Sequence, residues 1–257
     1  MKKLPVSIAV IAQNEELNIE DCLKSVQWGD EIILIDGGST DKTTEIAKKF
    51  SATIIYNPWP GHIEQKNFAI DQCKNDWVFS IDADERVSPE LLNEIVSLFS
   101  EPDSLKDGYS CPRKVFYLGK WIKHGGWYPD QKIRLFKKSA GRWGGYNPHD
   151  KVILTGAAGK LKGDILHYPY KNITEHLKKI NSYTSIMAAE LFKKGKRSNI
   201  FKITFRPFFK FFRTYIFKLG LLDGFQGMII SILGCYYVCL KYVKLWEMQK
   251  DLHQVKD

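Results

Sequence analysis

The sequence lacks both of the glycine-rich loops that commonly cradle phosphate groups. Neither G-x-G-x-x-G nor G-x-x-x-x-G-K-[ST] occurs in its 257 residues. Because these loops mark the dinucleotide-binding and P-loop folds, their absence argues against both classes. A diphosphate bound by this chain would need another partner for its charge, and Mg²⁺ or Mn²⁺ held by carboxylates is one such partner.

Paired cysteines are also lacking. The five cysteines show no C-x-x-C pair and no His/Cys metal spacing; they are Cys22, Cys73, Cys111, Cys235 and Cys239. An odd number of scattered thiols is typical of a reducing compartment. The first apolar run lasts only about eight residues before polar "QNEE", without a small-residue cleavage site, so we do not expect a signal peptide. The interpretation is a cytoplasmic protein.

Acidic residues are scarce in the last third of the chain. Residues 1–150 carry 19 basic and 22 acidic side chains, whereas residues 151–257 carry 19 basic and only 7 acidic ones. Within the latter, residues 193–218 contain nine Lys or Arg, no Asp or Glu, and seven Phe. A positive excess confined to one end suggests a polyanionic partner there, either nucleic acid or an anionic membrane.

The segment that follows, residues 219–240, is apolar and has one charge, Asp223. A membrane-spanning helix needs about 20 apolar residues, but Asp223, Gln226 and four glycines weaken that interpretation. A basic, Phe-rich amphipathic helix lying in the lipid interface is the favoured prediction. The alternative is a helical pair that packs on the rest of the protein, with its lysines simply solvated.

The first part of the chain alternates short apolar strands with helices, which predicts a parallel α/β sheet covered on both faces. Strands are expected at 6–12, 30–36, 52–57 and 76–82, and helices at 18–27, 41–50 (with Asp41 as N-cap) and 63–73. Ligands of such sheets bind at the carboxyl ends of the strands. Asp36 and Asp82 both end strands, so we expect them in one crevice.

Two acids two positions apart follow the fourth strand, in "SIDADERVS". An extended strand end places Asp82 and Asp84 on the same side. Carboxylate oxygens are ligands that suit Mg²⁺ or Mn²⁺. Such a pair can also be an ordinary solvated turn, but its place after a buried strand, opposite Asp36, favours a metal–diphosphate site.

Four motifs in register, "SIAVIAQNEE", "IILIDGGSTDKT", "EQKNFAI" and "VFSIDADERVSPEL", resemble a family 2 glycosyltransferase of the GT-A fold over roughly residues 5–155. The later "GGWYPDQKIRLFKK", "NPHDKV" and "FRPFFKFFRTYIFKLGLLDGFQGM" resemble the lipopolysaccharide-core β-glucosyltransferase branch, through about residue 248. The resemblance implies an α/β fold: a Rossmann-like, mostly parallel sheet with flanking helices, plus a C-terminal basic and apolar helical extension.

The expected domains follow from this resemblance. Residues 1–172 would form the catalytic domain, with a nucleotide-sugar half at about 1–100 and an acceptor half at about 108–172. Residues 173–257 would form a helical extension that associates with the membrane.

The resemblance also implies roles for individual residues. Nucleotide-sugar binding falls to Ala12, Glu15, Asp36, Lys66 and Asp82, and metal binding to Asp84 and Asp82. Asp130 would be the general base, with Asp150 as the alternative and a loop acid paired with Arg134 as the non-catalytic interpretation of Asp130. Weaker candidates for acceptor or diphosphate contacts are Glu85, Trp127, Tyr128, Arg134 and His149. Trp143 could stack on a sugar or pack in the core, and His167 and His176 are interpreted as structural.

The function implied is inverting transfer of a hexose, glucose from UDP-glucose, to a lipid-linked saccharide such as an inner-core heptose of lipopolysaccharide. The cofactor would be Mg²⁺ or Mn²⁺, and the location the inner face of the cytoplasmic membrane, bound through residues 193–244, with no nucleic acid. One alternative is a metal-dependent nucleotidyltransferase, although "AQNEELN" stands where its basic glycine-rich loop belongs. Another is a non-catalytic protein that binds an anionic surface of lipid or nucleic acid.

Overall fold

A computed structural model describes residues 3–146 and 149–254, and of Tyr146, His149 and residues 251–254 it describes the backbone only. The chain divides into two units. Met1–Val115 and Pro129–Tyr168 form the first, and Phe116–Tyr128 and Pro169–Asp257 form the second. The segment Phe116–Tyr128, which the sequence placed in the catalytic domain, therefore groups with the C-terminal helices.

Twelve strands and four helices precede the C-terminal region in the described residues. The strands are β1 Leu4–Ala12, β2 Gly29–Asp36, β3 Thr53–Tyr56, β4 Trp77–Asp82, β5 Glu85–Val87, β6 Gly108–Tyr117, β7 Lys120–Trp121, β8 Asp130–Lys137, β9 Gly141–Tyr146, β10 His149–Leu154, β11 Ala158–Lys160 and β12 Ile165–His167. The helices are α1 Ile19–Ser25, α2 Thr43–Lys48, α3 His62–Asp71 and α4 Pro89–Leu98.

The main sheet has the order β3-β2-β1-β4-β8-β6-β12-β5, with β7 and β11 paired to β6, while β9 and β10 form a separate hairpin. Strands β1 to β4 are mutually parallel, and β8 runs antiparallel to both of its neighbours. The predicted alternation and the parallel first half are confirmed. Helix α2 begins two residues later than expected, and Asp41 accepts the Thr43 N–H from just outside it at 2.9 Å.

Strand β1 is the centre of the fold because it is buried on both faces. Ile8 and Val10 pack in one apolar cluster and Ala9 and Ile11 in the other, as expected for a central parallel strand. Its register aligns Ala12 with Asp36 of β2 and Ile11 with Asp82 of β4. Both acids therefore lie at one edge of the sheet, as predicted.

The second unit contains α5 Ile173–Lys193, α6 Ile200–Phe212 and α7 Gly224–Gln254, with a π-helical turn at Arg213–Phe217 and a 3₁₀ turn at Gly220–Asp223 before α7. Asn172 and Asn199 cap α5 and α6 by accepting the N–H groups of Glu175 and Lys202. By length and composition alone, Gly220–Lys250 could cross a membrane, and 22% of its most apolar window is buried.

The polar and glycine positions that weakened a spanning helix have structural roles. Asp223 is buried and accepts backbone N–H groups from Lys123 at 3.2 Å and His124 at 2.8 Å. Glycine is needed for close backbone contact, because a Cβ on Gly227 would lie 1.9 Å from the Gly220 carbonyl oxygen. These residues hold the turn before α7 together.

Candidate functional site

Asp36 organises the turn after β2. Its carboxylate accepts the N–H of Gly38 at 3.2 Å and of Ser39 at 3.1 Å, and the residue is 6% exposed. Glycine is required here, because Gly38 has a φ of +95° and a Cβ on Gly37 would meet the Trp59 ring at 2.7 Å. The turn thus brings main chain close to the edge where a ligand of this sheet would bind.

The loop after β1 is bonded to the same turn. The Gly37 N–H donates to the Ala12 carbonyl at 2.9 Å, and the Glu15 N–H donates to Thr43 Oγ1 at 2.8 Å. The Glu15 carboxylate accepts from Asn18 at 2.8 Å. Ala12 therefore lies beside Asp36 in the sheet, and Glu15 is bonded to the start of α2. The contact of both residues with a nucleotide stays a prediction.

Asp82 lies between two buried cations. Lys66 Nζ is 3.1 Å from Asp82 Oδ1 and 2.8 Å from Asp150 Oδ2, and Arg134 Nη2 is 3.4 Å from Asp82 Oδ2. Burial alone would raise the pKa of Asp82, but the charges of Lys66 and Arg134 outweigh it and hold that pKa well below its usual range. In Asp150, burial also opposes Lys66, and the net pKa is lowered.

Glu85 and Arg134 lie beneath this cluster. Glu85 is 0% exposed and Arg134 is 2% exposed, and Arg134 Nη2 donates to Glu85 Oε1 at 2.6 Å. Glu85 also accepts the Asp82 N–H at 3.1 Å and pairs with Arg113 at 3.3 Å. The expectation that these two side chains touch the acceptor or diphosphate is corrected: both are closed to solvent and support Asp82 from below.

Asp84 contacts His167, a histidine for which the sequence predicts a structural role. His167 Nε2 lies 3.3 Å from Asp84 Oδ2, and their side chains are 13% and 16% exposed. Strand β12 brings them together by pairing with β5, and the Tyr168 N–H donates to the Asp84 carbonyl at 2.9 Å. No local motif marks His167, since 83 positions separate it from Asp84.

The donors at this position fit a divalent metal completed by substrate. Within the described ranges, no three His, Cys, Asp or Glu side chains form a full protein ligand set. Asp84 and His167 supply an oxygen and a nitrogen, whereas Asp82 is already neutralised by cations. Mg²⁺ is often held by one or two carboxylates together with water and substrate phosphates, so Asp84 fits this arrangement.

Asp130 begins β8 and is held by two cations. Its carboxylate is 2.8 Å from Arg113 Nη2 and 3.2 Å from Lys132 Nζ, and its side chain is 33% exposed. The alternative that pairs it with Arg134 is wrong, because Arg134 pairs with Glu85 and Asp82. Since Arg113 also contacts Glu85, ion pairs run without a break from Asp130 to Asp82.

A model of the family described as "Glycosyl transferase family 2" matches residues 7–154. The chain belongs to this family. The resemblance seen in the sequence is thereby confirmed, as is the GT-A-like fold with a C-terminal helical addition. Since membership indicates a transferase of sugars, it displaces both the nucleotidyltransferase and the non-catalytic alternative.

Relatives that align with most of this glycosyltransferase chain are known. It is 30% identical over 253 residues to the lipopolysaccharide core biosynthesis glycosyltransferase LpsC of Rhizobium meliloti, covering 95% of this chain and 93% of LpsC. It is 33% identical to an uncharacterized glycosyltransferase of Rickettsia typhi, covering 96% of this chain and 88% of that one. Among solved structures, S. aureus TarS 1–349 in complex with UDP-GlcNAc aligns with a TM-score of 0.47 at 14% identity, covering 99% of this chain and 92% of that one.

Three aromatic residues were candidates for stacking on a sugar: Trp127, Tyr128 and Trp143. Trp143 is 5% exposed, and its indole N–H donates to Ser80 at 3.2 Å. In the second unit, the Trp127 ring lies 5.6 Å from Tyr117 and 6.2 Å from His176. Trp127 and Tyr128 are half-buried, and their contact with a sugar stays a prediction.

His176 is structural, as the sequence indicated. Its Nδ1 lies 2.8 Å from the Tyr117 hydroxyl, and its ring stacks on Tyr170 at 4.1 Å. Burial, with a smaller effect from Lys179, lowers the pKa of His176 to about 4, so the ring is neutral at physiological pH. The side chain of His149 lies outside the described part of the chain.

Replacing Glu85 with alanine should destabilise the glycosyltransferase strongly. The change leaves Arg134 buried without its closest carboxylate, and breaking a buried ion pair costs about 3–5 kcal/mol. Chemical denaturation of the purified protein measures the free energy of unfolding. The matched control is Glu101→Gln, an exposed acid, which should change stability by less than about 0.5 kcal/mol. Equal stabilities for the two variants would contradict the central position of Glu85.

Proposed function

We propose that this glycosyltransferase transfers a hexose, glucose from UDP-glucose, with inversion to a lipid-linked saccharide. The observation that carries the proposal is the convergence of Asp36, Asp82 and Asp84 at one edge of the parallel strands. Without a phosphate-binding glycine loop, carboxylates and a divalent metal are the means left for holding a diphosphate. The similarity to LpsC, which covers 95% of this chain, supports a lipopolysaccharide-core acceptor. We propose an inner-core heptose as that acceptor, as the sequence resemblance implies.

Different residues of the chain bind different parts of the donor. Asp36 accepts hydrogen bonds from the uracil or ribose, with Ala12 and Glu15 forming the adjoining wall. Lys66 and Asp82 lie next to the diphosphate. Asp84 and His167 would hold Mg²⁺ or Mn²⁺, with Asp82 close by. The metal, when bound, stabilises negative charge on the departing nucleoside diphosphate as a Lewis acid.

Asp130 removes the proton from the acceptor hydroxyl while the hydroxyl oxygen attacks the anomeric carbon of the donor sugar. Its partly exposed side chain can reach a substrate, and a carboxylate within hydrogen-bond distance of the hydroxyl is an effective general base. Asp150 is the competing base. The Asp150 side chain is 16% exposed and that of Asp130 is 33% exposed, so an acceptor hydroxyl reaches Asp130 more easily. The greater exposure favours Asp130.

The acceptor's lipid part places the enzyme on the inner face of the cytoplasmic membrane. Residues 193–244 carry an excess of basic and apolar side chains, of which Phe201, Phe208 and Phe217 are 59%, 64% and 74% exposed. Such a surface is typical of interfacial attachment. This supports a peripheral membrane protein.

A panel of nucleotide sugars tests the donor assignment. Thermal shift and donor hydrolysis are measured with UDP-glucose, UDP-N-acetylglucosamine and GDP-mannose, each with Mn²⁺, Mg²⁺ or EDTA. We expect the largest stabilisation from UDP-glucose with metal, because ligand binding to the native state raises its stability. Stabilisation by a guanosine donor alone, or an effect that EDTA leaves unchanged, would overturn the donor or metal assignment.

A further inference from the structure

Helix α6 presents an aromatic stripe to solvent. Phe201, Phe205, Phe208 and Phe212 are spaced by four, three and four residues and are 59%, 59%, 64% and 37% exposed. Residues at these spacings share one face of a helix. Exposed apolar surface that is contiguous marks an interaction site more often than isolated exposed residues do.

A cavity of about 680 Å³ opens along this stripe. Six phenylalanines and Arg206 line it, the phenylalanines being Phe201, Phe205, Phe208, Phe209, Phe212 and Phe217. Its volume lies within the range of small-molecule sites. With Arg206 as the one charged lining residue, the cavity suits an occupant that is almost wholly apolar.

Cations follow the aromatic stripe around the helix. Lys202, Arg206, Lys210 and Arg213 are spaced by four, four and three residues, so they form a second stripe beside the first. Acidic residues are absent from the sequence over 193–218. The arrangement is that of a helix lying in a membrane interface, with phenylalanine on one face and a basic flank.

Arg206 of this stripe and Lys241 of α7 converge on one tyrosine where α6 meets α7. The Arg206 guanidinium lies 5.2 Å from the Tyr242 ring centroid, and Lys241 Nζ lies 5.0 Å from the same centroid. Arg206 also donates to the Tyr242 hydroxyl. The stem of Lys210 runs along α7, since a Cβ on Gly234 would lie 3.5 Å from Lys210 Cε.

These cations have no carboxylate partner among the described residues. The ion pairs seen in residues 3–146 and 149–254 do not include Arg206, Lys210 or Lys241. Burial lowers the pKa of Lys210, and the neighbouring charges of Lys218 and Arg213 lower it further. Like charges held this closely attract an anion that relieves their repulsion.

We propose that Arg206, Lys210 and Lys241 bind the phosphate of a membrane lipid whose acyl chain lies in the phenylalanine cavity. This deepens the proposed membrane location, on which it rests, by naming one lipid site. The apolar lining favours a lipid over free phosphate, which has nothing to place in the cavity. It also disfavours nucleic acid, whose bases carry polar edges and whose phosphates repeat along a strand.

Vesicle partitioning of the full-length chain tests the site. Phosphatidylcholine vesicles are compared with vesicles that also contain phosphatidylglycerol, at fixed ionic strength. The wild type should prefer the anionic vesicles. Arg206→Gln/Lys241→Gln should weaken binding to the anionic vesicles by about 20- to 30-fold, at about 1 kcal/mol per basic residue. Lys210→Gln alone should weaken it by about fivefold.

The cavity predicts a different pattern. Phe205→Ser/Phe208→Ser should weaken partitioning to both kinds of vesicle by at least about tenfold, because apolar burial does not depend on lipid charge. The matched charge control is Lys160→Gln/Lys162→Gln, two exposed lysines of the first unit. The matched apolar control is Ile186→Ser, which is 39% exposed on α5. Both controls should partition like the wild type.

Several outcomes would overturn the site. These are charge variants that lose no more than their control, phenylalanine variants that partition normally, or an oligonucleotide that competes fully with vesicles. Release from vesicles by inorganic phosphate at matched ionic strength would assign the cations to free phosphate. Thermal shift with UDP-glucose and Mn²⁺ is measured on every variant. A wild type that binds UDP-glucose but shows no preference for anionic vesicles would contradict the lipid site alone. A wild type that prefers anionic vesicles but does not bind the donor would contradict the proposed transferase function alone.

Discussion

Replacing Asp84 with asparagine should abolish metal-dependent binding of the nucleotide sugar and reduce turnover by at least about a hundredfold. Asparagine keeps the size of the side chain but removes the charge that attracts a divalent cation. Metal catalysis contributes several kcal/mol, and each 1.4 kcal/mol corresponds to a factor of ten in rate. Thermal shift with UDP-glucose and a Mn²⁺ titration measures the binding, and transfer to a lipid-linked acceptor measures turnover.

His167 offers a second, independent change at the same position. Its ring nitrogen lies 3.3 Å from the Asp84 carboxylate, so His167→Gln should weaken the apparent Mn²⁺ affinity by at least about tenfold, because even supporting partners of a metal ligand contribute 10- to 100-fold. Asp103→Asn, an exposed acid in a 3₁₀ turn, serves as the control and should behave as the wild type. If both site variants kept the full Mn²⁺ dependence of the wild type, the metal could not be bound at this position.

Asp130→Asn should lower turnover by about 10²- to 10⁴-fold, the usual contribution of a general base, while donor binding stays unchanged. The asparagine cannot accept the proton of the acceptor hydroxyl. The change also removes a partner of Arg113, which keeps its second carboxylate, Glu85, at 3.3 Å. Single-turnover transfer and a UDP-glucose thermal shift on the same preparation separate the chemical step from binding.

Asp150→Asn distinguishes the competing base. Asp150 lies 2.8 Å from Lys66, and Lys66 in turn contacts Asp82. Its loss should therefore disturb donor binding together with turnover, which Asp130→Asn should not. Near-normal turnover in Asp130→Asn, combined with unchanged donor binding and lost turnover in Asp150→Asn, would transfer the role of base to Asp150.

The sequence by itself determined where two acids of the first unit, Asp36 and Asp82, lie. Apolar runs that end in Asp36 and Asp82 predict strands, and the alternation with helices predicts that these strands are parallel. Parallel strands present their carboxyl ends at one edge, and the register of β1 with β2 and β4 bears this out. Strand direction and strand ends are local properties, so a local pattern suffices.

Tertiary structure decided which side chains meet. No clear role for Glu85 follows from the sequence, because its partners Arg113 and Arg134 are 28 and 49 residues away along the chain. His167 reaches Asp84 only because β12 pairs with β5. Such partners depend on how distant strands pack, and no short motif encodes the pairing of β12 with β5.

In the C-terminal region, too, the sequence predicts some features and only the tertiary structure decides others. Composition predicted helices and a basic, aromatic surface over residues 193–240, because charge and apolar content are readable residue by residue. Contacts between separate elements decide the rest. They let Asp223 close a turn from inside an apolar segment, and they bring Arg206 and Lys241 to the same tyrosine ring. Local sequence sets what each element exposes, whereas the packing of elements sets which charges are neutralised and which stay available for a ligand.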